Sequence, residues 1–400
     1  MTIAQLTAGY KKTNSRRVFA IAASATLLCV IYLLRLSHLG IATSGSSDHS
    51  LYSPVVESHA VKPDVTNDVY NKTLGFEKIF VISLPERSDR RDSIILSAAL
   101  SNIDIEIRDA VRGENVPEQI IPNENAGRFM KAEVGCWRSH MNIMQEVIQR
   151  NLSSILILED DADWDIRIMD QLHDFALAAQ AITQPLLRVY PAGNLFQSRT
   201  KNDIPFEKLP QTVSPEHSPY GDNWDLLWLG HCGVAVPKPT GDRSTGRVVM
   251  LDDPTVPVKK SLSNNLVGND LGEYPDHTRL VHHATMGLCT QSYAITQAGA
   301  RELMMSVGVE KMNTIDFGLR EWCDGTSGRD PHLCLATQPA VFQPHRKAGP
   351  QKGDSDIDTA AHGDGVRKEA MTEVVRWSTI LNWKALLRGE RDFVDQYPDS

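Results

Sequence analysis

The sequence predicts an α/β fold around a mostly parallel central sheet. Three observations lead there. Short apolar runs rich in β-branched residues alternate with segments of helical period along the chain. One run, Ile155 to Leu158, is apolar at every position, as a strand buried on both faces requires. That run leads directly into Glu159, Asp160, Asp161, Asp163 and Asp165, and ligands of such sheets bind beyond the carboxyl ends of the strands.

The elements follow in order. Val18 to Leu34 carries no charge, and a spanning helix needs roughly 20 apolar residues, with about 17 tolerated. Lys11, Lys12, Arg16 and Arg17 precede it and Arg35 alone follows closely, so the positive-inside rule leaves the N-terminus in the cytoplasm. The expected layout is a cytoplasmic tail (1–17), a transmembrane signal anchor (18–35), a stem (36–75) and a luminal domain (76–400). This is a single-pass type II arrangement in the Golgi or ER membrane, with a cleaved signal peptide as the alternative. The stem is rich in Ser, His, Pro, Asp and Asn and reads as a mobile linker.

Beyond it, "KIFVIS" from Lys78 reads as a strand and "RRDSIILSAAL" as a helix. "IDIEIRDAV" from Ile103 alternates like a half-buried strand. In "GCWRSHMNIMQEVIQR", Trp137, Met141, Met144 and Ile148 fall on one helical face. "DLLWLG" from Asp225 is another strand, and residues 236–280 read as an irregular excursion over the site. "CTQSYAITQAGARELMMSVG" gives a strand and then a helix from about Gln297, and the last stretch, "HGDGVRKEAMTEVVRWSTILNWKALLRG", reads as helical.

With 400 residues, a net charge of -9 and 41% hydrophobic content, the chain is globular, and its acidic balance argues against nucleic acid as partner. Asn71 in "NKT" and Asn151 in "NLS" are glycosylation acceptor patterns. In an oxidising lumen some cysteines should pair. Cys323 with Cys334 and Cys232 with Cys289 are the expected pairs, leaving Cys136 free.

The acidic cluster is the main candidate for chemistry. Carboxylates are hard oxygen ligands suited to Mg²⁺ or Mn²⁺. Asp161 and Asp163, one residue apart at a strand end, can reach a metal that holds a nucleotide's two phosphates. Arg87, Arg90 and Arg91 follow the first strand and suit a diphosphate or a uracil edge. His345 in "FQPHR" is a candidate third metal ligand. His140, on the helix before the acidic strand, is a candidate nucleotide-sugar contact that also reads as a packed residue. Asp316, an isolated carboxylate amid apolar residues, is a candidate general base. The segment "RKAGPQKGDSDI" from Arg346 to Ile357 has the composition of a loop that closes over a ligand.

"FVISLPERSDRR", "VGCWRSHMNIM", "LILEDDAD", "DLLWLG", "SYAITQAGARELM" and "TIDFGLREW" occur in an order that resembles glycosyltransferase family 25, which includes lipopolysaccharide and procollagen galactosyltransferases. The resemblance covers about 76–346, and the N-terminal anchor and trailing segment look like the fungal branch. It implies a type A glycosyltransferase fold, a UDP-sugar donor (most often UDP-galactose), a divalent metal such as Mn²⁺, and inversion at the anomeric carbon. It implies nucleotide contacts at Ser83, Leu84, Arg87 and Arg90, places the acidic motif at Glu159, Asp160 and Asp161, and makes Asp316 the late family carboxylate. The acceptor would be a glycan or glycoprotein. Two other classes use similar residues: a metal-dependent phosphohydrolase, with "LDDP" at Asp252 as its second acidic cluster, and a silent sugar-nucleotide-binding protein.

Overall fold

A computed structural model describes residues 64–121, 127–187, 203–237, 246–262, 271–357 and 365–399. The expected tail, anchor and most of the stem lie outside these residues; among the described ones, no helix is long and apolar enough to cross a membrane.

The strands, in chain order, are β1 (Lys78–Ser83), β2 (Glu106–Asp109), β3 (Ser154–Glu159), β4 (Ala162–Trp164), β5 (Asp203–Pro205), β6 (Leu226–Gly230), β7 (Gly233–Ala235) and β8 (Arg247–Met250). They continue with β9 (Arg279–His283), β10 (Thr285–Leu288), β11 (Ser292–Thr296), β12 (Cys334–Gln338), β13 (Phe342–Arg346), β14 (Gly349–Pro350), β15 (Val366–Arg367) and β16 (Met371–Thr372). The α-helices are α1 (Ser88–Leu100), α2 (Lys131–Arg150), α3 (Ile168–Thr183), α4 (Gln297–Leu303), α5 (Ile315–Asp324) and α6 (Trp383–Arg388).

The central sheet has the order β2-β1-β3-β11-β6-β12-β9-β8-β5. β1 pairs in parallel with β2 and β3, and β6 with β12. β11 runs against β3 and β6, and β9 runs against β12 and β8. All the other strands of this sheet therefore point one way, and the mostly parallel α/β architecture read from the sequence is present. Strand alternation divides the apolar runs between two cores. Leu156 and Leu158 face the core that holds α3, while Ile155 and Ile157 face the one that holds α2 and α5. Both faces are covered, which is why β3 reads as an unbroken apolar run.

Several expectations need correction. The folded body includes residues assigned to the stem: Asp64 caps a 3₁₀ turn at Val65–Tyr70, and Val69 and Leu74 are buried in the core. Residues 236–280 are not wholly irregular, because β8 joins the central sheet within them. The strand expected at Ile103 is shorter, starting at Glu106. The C-terminal stretch is not one long helix; it forms β15, β16, turns and the short α6. Its helical spacing is overridden by tertiary bonds: Thr372 pairs with His345 across β16 and β13, and Trp383 Nε1 donates to Ser97 Oγ at 3.0 Å.

The boundary correction is testable by truncation. A chain beginning at 76 should unfold at lower urea than one beginning at 62, by about 3–6 kcal/mol for two buried apolar side chains. Equal midpoints would return residues 64–75 to the stem.

Candidate active site at the carboxyl edge of the sheet

The carboxyl ends of β1, β3 and β6 meet the amino end of β11 along one edge, because β11 is the reversed strand between β3 and β6. Glu159 ends β3 on that edge. Its backbone N–H donates to the Gln291 carbonyl at 3.0 Å, and Thr290 Oγ1 donates to Glu159 Oε1 at 2.8 Å. Burial and the Asp161 charge push the Glu159 carboxyl up to about 7.

Asp160 turns the other way. Ser83 Oγ donates to its Oδ2 at 2.8 Å and Arg90 Nη1 to its Oδ1 at 2.7 Å. Burial still raises the Asp160 carboxyl, with Asp161 adding to it against the opposing pull of Arg90. Burial alone would lower Arg90, and the charges of Asp161 and Asp160 reverse that, so the guanidinium stays firmly protonated.

Asp161 has a different environment. Arg346 Nη1 donates to its Oδ2 at 2.8 Å, and Arg90 lies 3.6 Å from the same oxygen. Its Oδ1 is buried and accepts no hydrogen bond. A buried carboxylate oxygen left unsatisfied is costly unless something else occupies it. Mg²⁺-like cations bind through one or two carboxylates and complete their shell with phosphate and water. The donor set fits such a cation at Asp161 Oδ1.

Asp163 is corrected. It is fully buried, and its carboxylate accepts Thr372 Oγ1 at 2.6 Å, Ser378 Oγ, and the Ile380 N–H at 3.2 Å. Burial pushes it up to about 6 against those hydrogen bonds. All of these donors come from the C-terminal segment, so Asp163 fastens that segment to β4 and has no open face for a nucleotide-bound metal. Position explains the difference: Asp161 is the last residue of the turn, while Asp163 lies inside β4 (Ala162–Trp164), where the chain returns to the core. His345 belongs to the same latch. Its Nδ1 lies 2.9 Å from Thr372 Oγ1, and burial with nearby Lys347 lowers its pKa to about 4. Among the described residues, no group of three or more His, Cys, Asp or Glu side chains is arranged to hold a metal.

The other predicted residues divide between support and packing. Ser83 is buried and serves Asp160, while the Leu84 carbonyl accepts Arg91 Nε at 3.2 Å; neither is set out as a nucleotide contact. Arg87 pairs with Asp89 at 3.0 Å and with Asp356. His140 is a core residue: it is 1% exposed, sits 2.9 Å from the Tyr293 hydroxyl, and burial holds its pKa down to about 3. Asp316 opens α5, accepting Thr314 Oγ1 at 2.8 Å on Oδ1 and the Cys289 N–H at 3.4 Å on Oδ2. Burial, and after it the charges of Glu159 and Asp316, push the Cys136 thiol up. Cys232–Cys289 and Cys323–Cys334 are disulfides and Cys136 is free, with the first bridge tying the loop after β6 to the loop before β11. Asn71 and Asn151 are exposed. Asp253, beside Asp252, pairs with Arg279 at 2.6 Å and is satisfied there, so no second acidic centre forms around it. Sequence reasoning missed Thr290 and Gln291, which stand in no motif and reach Glu159 only because β11 is reversed.

Residues 76–316 match the family model described as Glycosyltransferase family 25 (LPS biosynthesis protein). The chain belongs to glycosyltransferase family 25. It is 25% identical over 311 residues to a Homo sapiens protein named inactive glycosyltransferase 25 family member 3, covering 73% of this chain and 40% of that one. It is 23% identical over 340 residues to procollagen galactosyltransferase 1 of Danio rerio, covering 79% and 44%. Over a shorter 108 residues it is 31% identical to procollagen galactosyltransferase 2 of Mus musculus, covering 24% and 17%. The chain thus spans less than half the length of these relatives. The family 25 match ends at Asp316, so Arg346 and the C-terminal latch lie beyond it.

Two outcomes test the site, both measured in chelator. Asp163→Ala should cost about 3 kcal/mol in urea unfolding, since three donors lose their acceptor; a change under about 0.5 kcal/mol, the range of an uncoupled surface substitution, would remove the latch. For Glu159, a folded pKa of about 7 lies above the free value of roughly 4.3, so the folded state binds the extra proton and stability falls as pH rises through that window. Glu159→Gln should therefore gain in melting temperature over the parent from pH 5 to pH 8, with the curves converging below about pH 4.3. Parallel curves would contradict a buried, raised carboxyl.

Proposed function

We propose that the chain is a metal-assisted glycosyltransferase that moves a sugar, with galactose as the first candidate, from a UDP-sugar to a hydroxyl of a glycan or glycoprotein, with inversion. The observation that carries this is Asp161 Oδ1, a buried carboxylate oxygen without a hydrogen-bond donor, at the carboxyl end of a central strand and between two arginines. Family membership supplies the reaction class. The galactosyl donor follows the names of the procollagen galactosyltransferase relatives.

In this reading Asp161 would hold Mn²⁺ or Mg²⁺, with Glu159 or Asp160 behind it. The cation would supply positive charge to the diphosphate as UDP departs. Arg90 is fixed by Asp160 and adds a guanidinium that needs no reorganisation at the moment of reaction. Asp316, held by Thr314 and the Cys289 N–H beside the disulfide, takes the acceptor proton during attack. A single displacement inverts the anomeric carbon and needs no protein nucleophile. Two disulfides favour an oxidising compartment, consistent with a Golgi or ER lumen.

A second reading has its own support. One relative is named inactive, and in this second reading the same site binds sugar nucleotides without turnover. The two readings separate on UDP release from a panel of UDP-sugars with and without Mn²⁺. Transferases leak donor to water, so metal-dependent release from one sugar is expected, falling at least about 100-fold in Asp161→Ala, the scale of losing one charge-stabilising group. Tight UDP binding without release, on any sugar or acceptor, would favour the silent reading.

A further inference from the structure

The segment after β13 was expected to close over the donor. In the structure it is already closed, and on the residues a diphosphate would need. β14 and β15 pair to form a small ribbon, and the turn that follows β14 folds back onto α1. The Asp356 carboxylate pairs with Arg87 and lies 3.9 Å from Arg90. The Asp354 carbonyl accepts Arg90 Nη2 at 2.6 Å and Arg346 Nη1 at 3.1 Å, and its carboxylate accepts Arg367 Nη2 at 2.8 Å. Four guanidinium groups thus converge on one acidic turn, two from the start of α1 and two from the flanking strands β13 and β15.

Guanidinium forks bind carboxylate and phosphate with the same two-point geometry. We propose that the Asp356 carboxylate, with the Asp354 backbone carbonyl beside it, is a built-in substitute for a diphosphate: the turn occupies Arg87 and Arg90 in the resting protein and must leave before a diphosphate-bearing ligand can bind them. The identity of that ligand as a UDP-sugar rests on the reading above; the masked anion site rests on the arginines alone.

The two sides of the contact are unequal, which sets which one moves. Arg90 is 13% exposed and tied to Asp160, in the turn that ends β3. Asp356 is 34% exposed and sits on the turn. Gly349 and Gly353 flank the turn's start with φ of +119° and +94°, and a Cβ at either would meet nothing within 4 Å. What these glycines provide is backbone freedom, not space, as a hinge needs. Lys347 anchors the base of the segment on Asp89 at 3.1 Å, so the turn can swing while its root stays in place.

The test is calorimetric titration of inorganic pyrophosphate and of UDP, in chelator and at low salt, into the parent protein, Asp356→Asn and Asp356→Glu. Removing the competing charge should tighten pyrophosphate about fivefold in Asp356→Asn, the factor for an ion pair near the upper end for exposed sites, while Asp356→Glu stays near the parent. Unchanged, weaker or undetectable pyrophosphate binding in Asp356→Asn overturns the proposal, whatever UDP does. Tighter pyrophosphate with no UDP binding to any variant upholds the masked site and overturns the nucleotide reading instead.

Discussion

Everything at this edge of the sheet depends on one guanidinium. Glu159, Asp160 and Asp161 end a buried strand in three successive carboxylates, and like charges so close in a partly buried place repel strongly. Arg90 reaches Asp160 and Asp161 together from the first helix. It makes the cluster tolerable without neutralising it fully. Glu159 escapes by holding a proton near neutrality, and Asp161 keeps one oxygen unclaimed. With Arg346 also on Asp161, two guanidiniums face two carboxylates, and what stays unmet is the bonding capacity of one buried atom, Asp161 Oδ1.

The two aspartates of "DAD" show how spacing in sequence can mislead. Asp161 and Asp163 were expected to share a metal because one residue separates them. Asp161 stands in the turn after β3, while Asp163 is inside β4 and paired with hydroxyls from beyond residue 370. One keeps a buried oxygen without a donor and the other holds the C-terminal segment down. The latch also explains how Arg346 reaches Asp161: β13 pairs with β4, and the His345 N–H donates to the Asp161 carbonyl at 2.7 Å. Residues past the family match therefore complete the site inside it.

Local features of the sequence were the most legible part. The unbroken apolar run of β3, the helical spacing of α2 and the alternation of strands and helices all follow from side-chain period, and the structure contains them. The acidic cluster and Arg90 were visible because charge at a strand's carboxyl end is unusual. Contacts that depend on long-range topology were not visible. Thr290 meets Glu159 only because β11 is antiparallel, Asp354 and Asp356 meet Arg87 and Arg90 across some 270 residues of chain, and the tail's helical spacing is overruled by its bonds to β4. His140 looked functional because it is a histidine near the cluster; its helix turns it into the core against Tyr293.

The most direct measurement is anomalous diffraction at the manganese edge from crystals of residues 62–400 grown with UDP and Mn²⁺. One anomalous peak is expected within bonding distance of Asp161 Oδ1, with the diphosphate against Arg87 and Arg90 and Asp163 still bound to Thr372 and Ser378. A peak between Asp163 and His345, or UDP bound with Asp161 Oδ1 left uncoordinated, would contradict that placement.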